Sequence, residues 1–416
     1  MNEVRGHAER IGASEEEILV SNIISPDWVS SQITQTELLF FNSLLQEIST
    51  LELSEQERLD KIGQIDRLSF DVTGHEISTL GYYFPNELLA FVQKEDYRET
   101  GMITDIGDID NFSLLADGKM MLSGDKRTFI IDQDPKNKLP LAQMKSKENR
   151  DRMNFPTDLI GVFPNGDHSY IQRQENMPGL STLTYINHDG TGCALKPRVE
   201  GAQFIEPKRA IVKTDSGFFC CYFSEKTKKW GWWKIYDMPY YAEFRVFING
   251  KMIVQGEGNI FTFELDKDNG YQMRPTSASE IKTGSSLNPD GINQTEYVSG
   301  NEIATVHGSS LFSLKLDNSG VWKRELIESQ GDNNIWSFRT LPNGKYLVLR
   351  KDQTLRFVDS SGSNNSPNIL AKKWPDEEAK RIQISSDGRI FVLIVNKRTG
   401  LKYFRIYDGT PEGENK

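Results

Sequence analysis

A two-residue turn signal, Asp-Gly or Asn-Gly, returns along most of this 416-residue chain at a nearly constant interval. It stands at 117/118, 165/166, 249/250, 343/344 and 387/388, while Gly300-Asn301 and Pro207-Lys208 hold the equivalent places in two weaker copies. From 117 to 387 the turn advances six steps, 45 residues per step. Short runs rich in β-branched and aromatic residues flank each turn. In IWSFRTLPNGKYLVLRKDQTLRFVDSSG (335–362), three such runs are separated by Asn343-Gly344 and Gln353-Thr354 and closed by the turn from Asp359 to Gly362. Runs of this length with this punctuation read as an antiparallel meander. A unit of this size cannot bury both faces of its sheet alone, so the copies must stack on one another.

The period is that of a four-stranded propeller blade. Seven copies predict a mainly β fold, a seven-bladed β-propeller over 98–416, preceded by a small acidic α-helical region over 1–97. The third copy shows all four strands as AQFIE, RAIVK, FFCCYF and WGWWKIY. Six of the seven third strands end on aspartate, at Asp132, Asp189, Asp266, Asp317, Asp359 and Asp408. Turn chemistry is the expected reason, with each carboxylate accepting backbone N–H bonds two residues on. The last copy supplies only three strands, so an apolar run near 101–106 is expected to complete it as the outermost strand beside Leu401 to Tyr407.

Residues 1–95 carry 17 acidic against 6 basic side chains, which accounts for the whole of the formal charge of −10. Capping boxes at Ser14/Glu17, Thr34/Glu37 and Ser54/Glu57 announce helices. Leu38, Phe41, Leu45 and Ile48, then Leu59, Ile62, Ile65 and Leu68, form two apolar stripes at helical spacing, which suggests a helical hairpin. Pro85 to Glu95 also reads as a helix with proline in its first turn. Within it, Phe84-Pro85-Asn86-Glu87-Leu88-Leu89 is similar to the opening of an F-box, and that resemblance implies a ubiquitin-ligase adaptor docking through 84–95.

The repeat region resembles the WD-repeat class of β-propellers over about residues 101–409. The resemblance rests on the 45-residue period, the Asp-Gly or Asn-Gly turn after the first strand and the hydrophobic-Asp ending of the third. The class's Gly-His and Trp-Asp dipeptides are absent, so the likeness is one of fold and implies no particular family.

Chemistry-bearing motifs are sparse. The sequence has no Gly-x-Ser-x-Gly elbow, P-loop or Gly-x-Gly-x-x-Gly. His7, His75, His168, His188 and His307 show no ligand spacing, and the three cysteines, two of them the adjacent Cys220 and Cys221, form neither a disulfide framework nor a metal knuckle. No cofactor or metal is expected, and no nucleic acid either, because phosphate neutralisation needs a basic face. The longest apolar run, Ile390 to Val395, is far too short for a membrane span. A cytoplasmic location is expected.

Residues 218–247 stand out, with 12 aromatics in 30 positions against 10% for the chain. One reading makes them core filling of a blade. The other makes Trp232, Trp233, Tyr236 and Lys228 a contact surface, since Trp and Tyr carry much of the energy at protein interfaces. The function that fits best is a noncatalytic interaction or scaffold protein with a protein partner and no small-molecule ligand. The alternative is a propeller hydrolase or lyase, which would need Asp, Glu, Arg or His side chains converging at the channel mouth.

Overall fold

The computed structural model describes residues 81–88 and, apart from loops, 91–411, together with positions 57 and 64; the longest stretches left out after residue 91 are 144–156 and 283–294. The apolar stripes over 38–68 therefore lie almost wholly outside the described residues. The rest is mainly β. Its strands form seven antiparallel sheets among the described residues, six of them containing a run of four strands in series and the sixth in chain order containing three. At the level of fold the chain resembles β-propellers.

The first strands of the seven sheets are Asn111–Leu114, Thr157–Val162, Val199–Glu206, Glu243–Val246, Thr295–Ser299, Ile335–Thr340 and Glu377–Ile384. Neighbouring sheets meet chiefly along them. One apolar cluster joins the second, third and fourth sheets, with Leu183, Phe204, Val212, Phe218, Val254 and Phe263 among its members. Smaller clusters join the fourth to the fifth, the fifth to the sixth, the sixth to the seventh, and the seventh to the first. Second strands are covered on both faces: Tyr346–Arg350 is buried at every residue. Outermost strands are wetter, as in Lys229–Tyr236, where only Ile235 is fully buried. Burial thus falls from the first and second strands of a sheet to its outermost strand.

The recurrent turn has one geometry. Gly118, Gly250, Gly344 and Gly388 have φ of 75–82°, and their amides donate to Leu115, Phe247, Leu341 and Ser385, three residues back. Those same four residues donate their own amides to Lys119, Lys251, Lys345 and Arg389. This is a type I turn followed by a left-handed bulge position, which glycine occupies without steric cost. Lys208 takes the same place with φ of 57° in the copy that lacks glycine.

The seventh sheet runs outward from Glu377–Ile384 through Ile390–Asn396 and Lys402–Pro411 to Lys94–Ile103, its outermost strand. Lys94–Ile103 pairs antiparallel with Lys402–Pro411, with Gly101 opposite Ile406 and Ile103 opposite Phe404. This strand starts inside the region 1–97. Arg405 fastens it, donating to Glu99 at 2.5 Å and to both oxygens of Glu377 at 2.9 and 3.0 Å across the sheet.

One expectation needs correction. Pro85 to Glu95 is not a helix: Phe84–Asn86 turns, the Glu87 amide donating to Phe84 at 3.0 Å, and a strand begins at Lys94. The helix on which an F-box-like docking at 84–95 depends is therefore missing, because Asn86 and Glu87 take partners on distant strands in place of an i+4 ladder. The terminal aspartates, for their part, do more than shape turns. Asp266 pairs with Arg274, Asp317 with Lys323 at 3.2 Å, and Asp408 with Lys94 at 2.7 Å, each a cation on the next strand outward. Asp408 also accepts a neighbouring amide, that of Gly409 at 2.9 Å.

A buried charge cluster couples the fifth and sixth sheets. Arg350, with 0% of its side chain exposed, lies 3.0 Å from Glu328, which also takes Arg356. Arg350 further donates to the carbonyls of Ser309 at 3.1 Å and Asn333 at 2.7 Å. Removing this carboxylate leaves the fully buried Arg350 guanidinium without its anion, so Glu328→Ala should lose about 3–5 kcal/mol in urea unfolding. A second pair of variants isolates a contact at the seventh turn. Gly344→Ala and Gly388→Ala both place a side chain on left-handed backbone at a cost of about 1–2 kcal/mol. Only at Gly388 would the added Cβ also meet a backbone atom, the Val92 carbonyl oxygen at 2.3 Å, so Gly388→Ala should lower the thermal midpoint clearly further.

Candidate functional site: the rim aromatics and the axial mouth

The four side chains singled out at 228–236 do not form one surface. Trp232 lies 48% exposed on the outermost strand of the third sheet, opposite Cys221. Trp233, on the other face, is half-buried against Tyr222, with ring centroids 4.5 Å apart, and its indole N–H donates to the Gly270 carbonyl at 2.7 Å. A register shift between Phe218 and Phe219 returns Tyr236 to that inner face, where it stacks edge-on to Phe263 at 4.9 Å. Lys228 is exposed at the hairpin tip and pairs with Glu225 at 2.5 Å; Lys208 reaches the same carboxylate at 3.3 Å. Those two cations hold the Glu225 carboxyl below its usual value. Trp233 and Tyr236 therefore fill the wedge between the third and fourth sheets, while Trp232 and the lysine-rich tip face outward.

Cys220 and Cys221 are buried, are not joined in a disulfide and lie on opposite faces of their strand. Burial pushes the Cys220 thiol up to about 12 despite the opposing charge of Arg209, so it is no nucleophile at neutral pH.

A second constellation lies on the first strands. Counting back four residues from the first residue of each turn gives Ser113, Gly161, Gln203, Arg245, Glu296, Arg339 and Gln383, one per sheet. Six carry polar side chains within otherwise apolar runs, and each of the six bonds to another element. Gln203 donates to the Val246 carbonyl at 2.6 Å and accepts its amide at 2.8 Å. Arg245 donates to the Thr295 carbonyl at 2.7 Å. Arg339 pairs with Glu296 and donates to Gln383 at 2.7 Å, and Gln383 donates to the Phe112 carbonyl at 3.0 Å. Glu296 also accepts the Thr340 amide at 2.8 Å. These bonds run without a break from the third sheet through the fourth, fifth, sixth and seventh to the first. The period of the turns could have exposed this position; its polar character went unread.

The segment before the outermost strand lies against this constellation. Tyr83 and Phe84 are buried beside the second sheet, Tyr83 with its ring 5.8 Å from Phe163. The Asn86 side-chain oxygen accepts from Ser113 at 3.2 Å and from Gln383 at 3.3 Å. Glu87 accepts the Ile248 amide at 3.2 Å. Phe91 is buried with Leu341 and Ile384, the Val92 amide donates to the Ser386 carbonyl at 2.8 Å, and Asn343 donates to Gln93. The strap formed by residues 83–88 and 91–93 thus touches the first, second, fourth, sixth and seventh sheets.

Part of Glu87 remains at the surface, but its carboxylate is crowded by protein atoms. Burial pushes it up to about 7, against the opposing pull of Arg245 and the Ile248 amide, and Glu296 adds repulsion. Burial also lowers Arg339, with Glu296 opposing and Arg245 adding to the effect. Two acids and two guanidinium groups therefore converge at this mouth, the feature a catalytic reading requires, and the chain's own strap supplies one of them.

No family model matches the chain, and no curated protein matches it. Among solved structures, Hsv2p from Kluyveromyces lactis is similar at 15% identity and a TM-score of 0.45, over 73% of this chain and 100% of that one. YCF48 from Cyanidioschyzon merolae is similar at 13% identity and a TM-score of 0.46, over 74% and 98%. YCF48 bound to D1 peptide is similar at 10% identity and a TM-score of 0.46, over 77% and 98%.

The raised Glu87 carboxyl makes stability depend on pH. Because its folded value lies above the ordinary 4.5, the folded state holds this proton more tightly than the unfolded chain. The contribution is fully present below about 4.5 and is lost as pH rises through about 7. Glu87→Gln should therefore flatten the fall in urea-unfolding free energy between pH 5 and pH 8, and at pH 8 it should stabilise the protein by about 2 kcal/mol.

Proposed function

We propose that the chain is a closed seven-bladed propeller serving as a noncatalytic scaffold for a protein partner, with Trp232 at the rim of the third blade as its principal contact. The observation that carries this reading is the exposure of Trp232 beside a hairpin tip bearing Lys226, Lys228 and Lys229. A large aromatic with nearby cations is the composition that interface centres favour, and charge at the edge speeds encounter with an acidic or mixed surface. Trp233 and Tyr236 support it from beneath by fixing the outermost strand. The acidic N-terminal part is proposed as a second contact, and buried thiols at Cys220 and Cys221 suit a reducing cytoplasm.

The enzyme reading loses ground at the mouth of the axis. Glu296 pairs with Arg339, Arg245 donates to the Thr295 carbonyl and the strap's Glu87 accepts the Ile248 amide, so these charged side chains are already engaged within the protein.

The two tryptophans separate interface from core. Trp232→Ala should leave the thermal midpoint within about 2 °C of wild type while depleting a captured partner at least tenfold in quantitative pull-downs, as loss of about 2 kcal/mol at an interface centre would. Trp233→Ala should instead cost about 3 kcal/mol of folding stability. Partner capture undiminished by Trp232→Ala would overturn the assignment.

A further inference from the structure

The strap over the axial mouth is held as a ligand is held. Its link at the centre is made by side chains: the Asn86 amide oxygen between Ser113 and Gln383, and the Glu87 carboxylate on the Ile248 amide, in the field of Arg245. Aromatic anchors flank this polar centre, Tyr83 and Phe84 on one side and Phe91 on the other. Buried carboxylate and carboxamide acceptors add little stability over apolar filling of similar shape, because desolvation offsets most of what their hydrogen bonds gain. What they do confer is selectivity, since a site built around N–H and O–H donors rejects a chain that lacks the matching acceptors.

We propose that the axial mouth is a peptide-binding site, selective for an aromatic pair followed by Pro-Asn and a second side-chain acceptor, and that residues 83–88 and 91–93 occupy it as a built-in ligand, with Glu87 as that acceptor. The receptor side comprises Ser113, Phe163, Arg245, the Ile248 amide and Gln383. Gln383 and Arg245 are already oriented by Arg339 and by the Thr295 carbonyl, so the donors stand in place before the peptide arrives. Covalent attachment gives the strap a high effective concentration, so a competing peptide gains entry only when the tether is cut or the strap is weakened. This inference is independent of the role of Trp232.

The test uses the full chain with a protease recognition sequence inserted between Leu89 and Ala90, cut after purification. A fluorescent peptide spanning Gly81 to Gln93 is then titrated against the cut and uncut proteins and followed by anisotropy. The cut protein should keep its cooperative thermal transition and bind the peptide at least tenfold more tightly than the uncut protein does. An Asn86→Ala peptide should bind at least tenfold more weakly than its parent, and Ser113→Ala in the cut protein should weaken the parent peptide in the same direction. Should insertion impair folding of the uncut chain, full-length Asn86→Ala takes its place, with stronger peptide binding than wild type expected. Unfolding on cutting would make the strap an integral part of the fold and overturn the proposal. Equal binding to cut and uncut protein, or indifference to Asn86→Ala in the peptide, would overturn it as well.

Discussion

The chain of hydrogen bonds through Gln203, Arg245, Glu296, Arg339 and Gln383 is the constraint from which the arrangement of sheets follows. Apolar faces alone would let neighbouring sheets slide, because dispersion is almost indifferent to a shift along a smooth surface. A side-chain bond to a named carbonyl or carboxylate on the next first strand is not indifferent. Each of these bonds sits where the sheets come closest and water is scarce, so each is strong when made and costly when missed. Arg339 shows the logic in one residue: its guanidinium joins Glu296 of the fifth sheet to Gln383 of the seventh while its own strand belongs to the sixth. Register between sheets is set here and carried outward by the ladders.

At the rim the same problem has a different solution. Outermost strands have a neighbour on one side only and expose more of their surface, so backbone pairing needs reinforcement. Asp266, Asp317 and Asp408 supply it by reaching one strand outward to Arg274, Lys323 and Lys94. Partly exposed pairs of this kind contribute at most about 1 kcal/mol each. In the seventh sheet that contribution supports the strand Lys94–Ile103, which comes from the far end of the sequence, and Arg405 adds to it by gripping Glu99 and Glu377 together.

The meander was legible because its turns need particular residues: a left-handed position calls for glycine, and Gly118, Gly250, Gly344 and Gly388 mark four of the seven copies. The four strands of the third copy were legible from their β-branched and aromatic runs, although its first turn carries Lys208 in place of glycine. Residues 83–93 were not. Proline followed by Asn-Glu-Leu-Leu has the local grammar of a helix start, yet Asn86 and Glu87 find partners on strands that lie far away in sequence, and tertiary bonds outweigh a propensity of a few tenths of a kcal/mol per residue. The aromatic run at 218–247 was ambiguous by nature. Composition could not say that a register shift near Phe218 would send Trp233 and Tyr236 to the same inner face while leaving Trp232 outside.

Glu87 shows how the strap and the axis depend on each other. Its carboxylate sits where Glu296 repels it and crowding strips its water, so only Arg245 and one backbone amide favour its charged form. A position selected for stability alone would hold glutamine or an apolar side chain, since either avoids the cost of desolvating a charge. A carboxylate in that place makes the fit of the strap sensitive to its surroundings: protonation, or movement of Arg245, changes how firmly residues 83–93 sit. The same Arg245 holds the fifth sheet through the Thr295 carbonyl. Whatever displaces the strap therefore acts on a side chain that also sets the alignment of two neighbouring sheets, and the mouth and the body of the fold respond together.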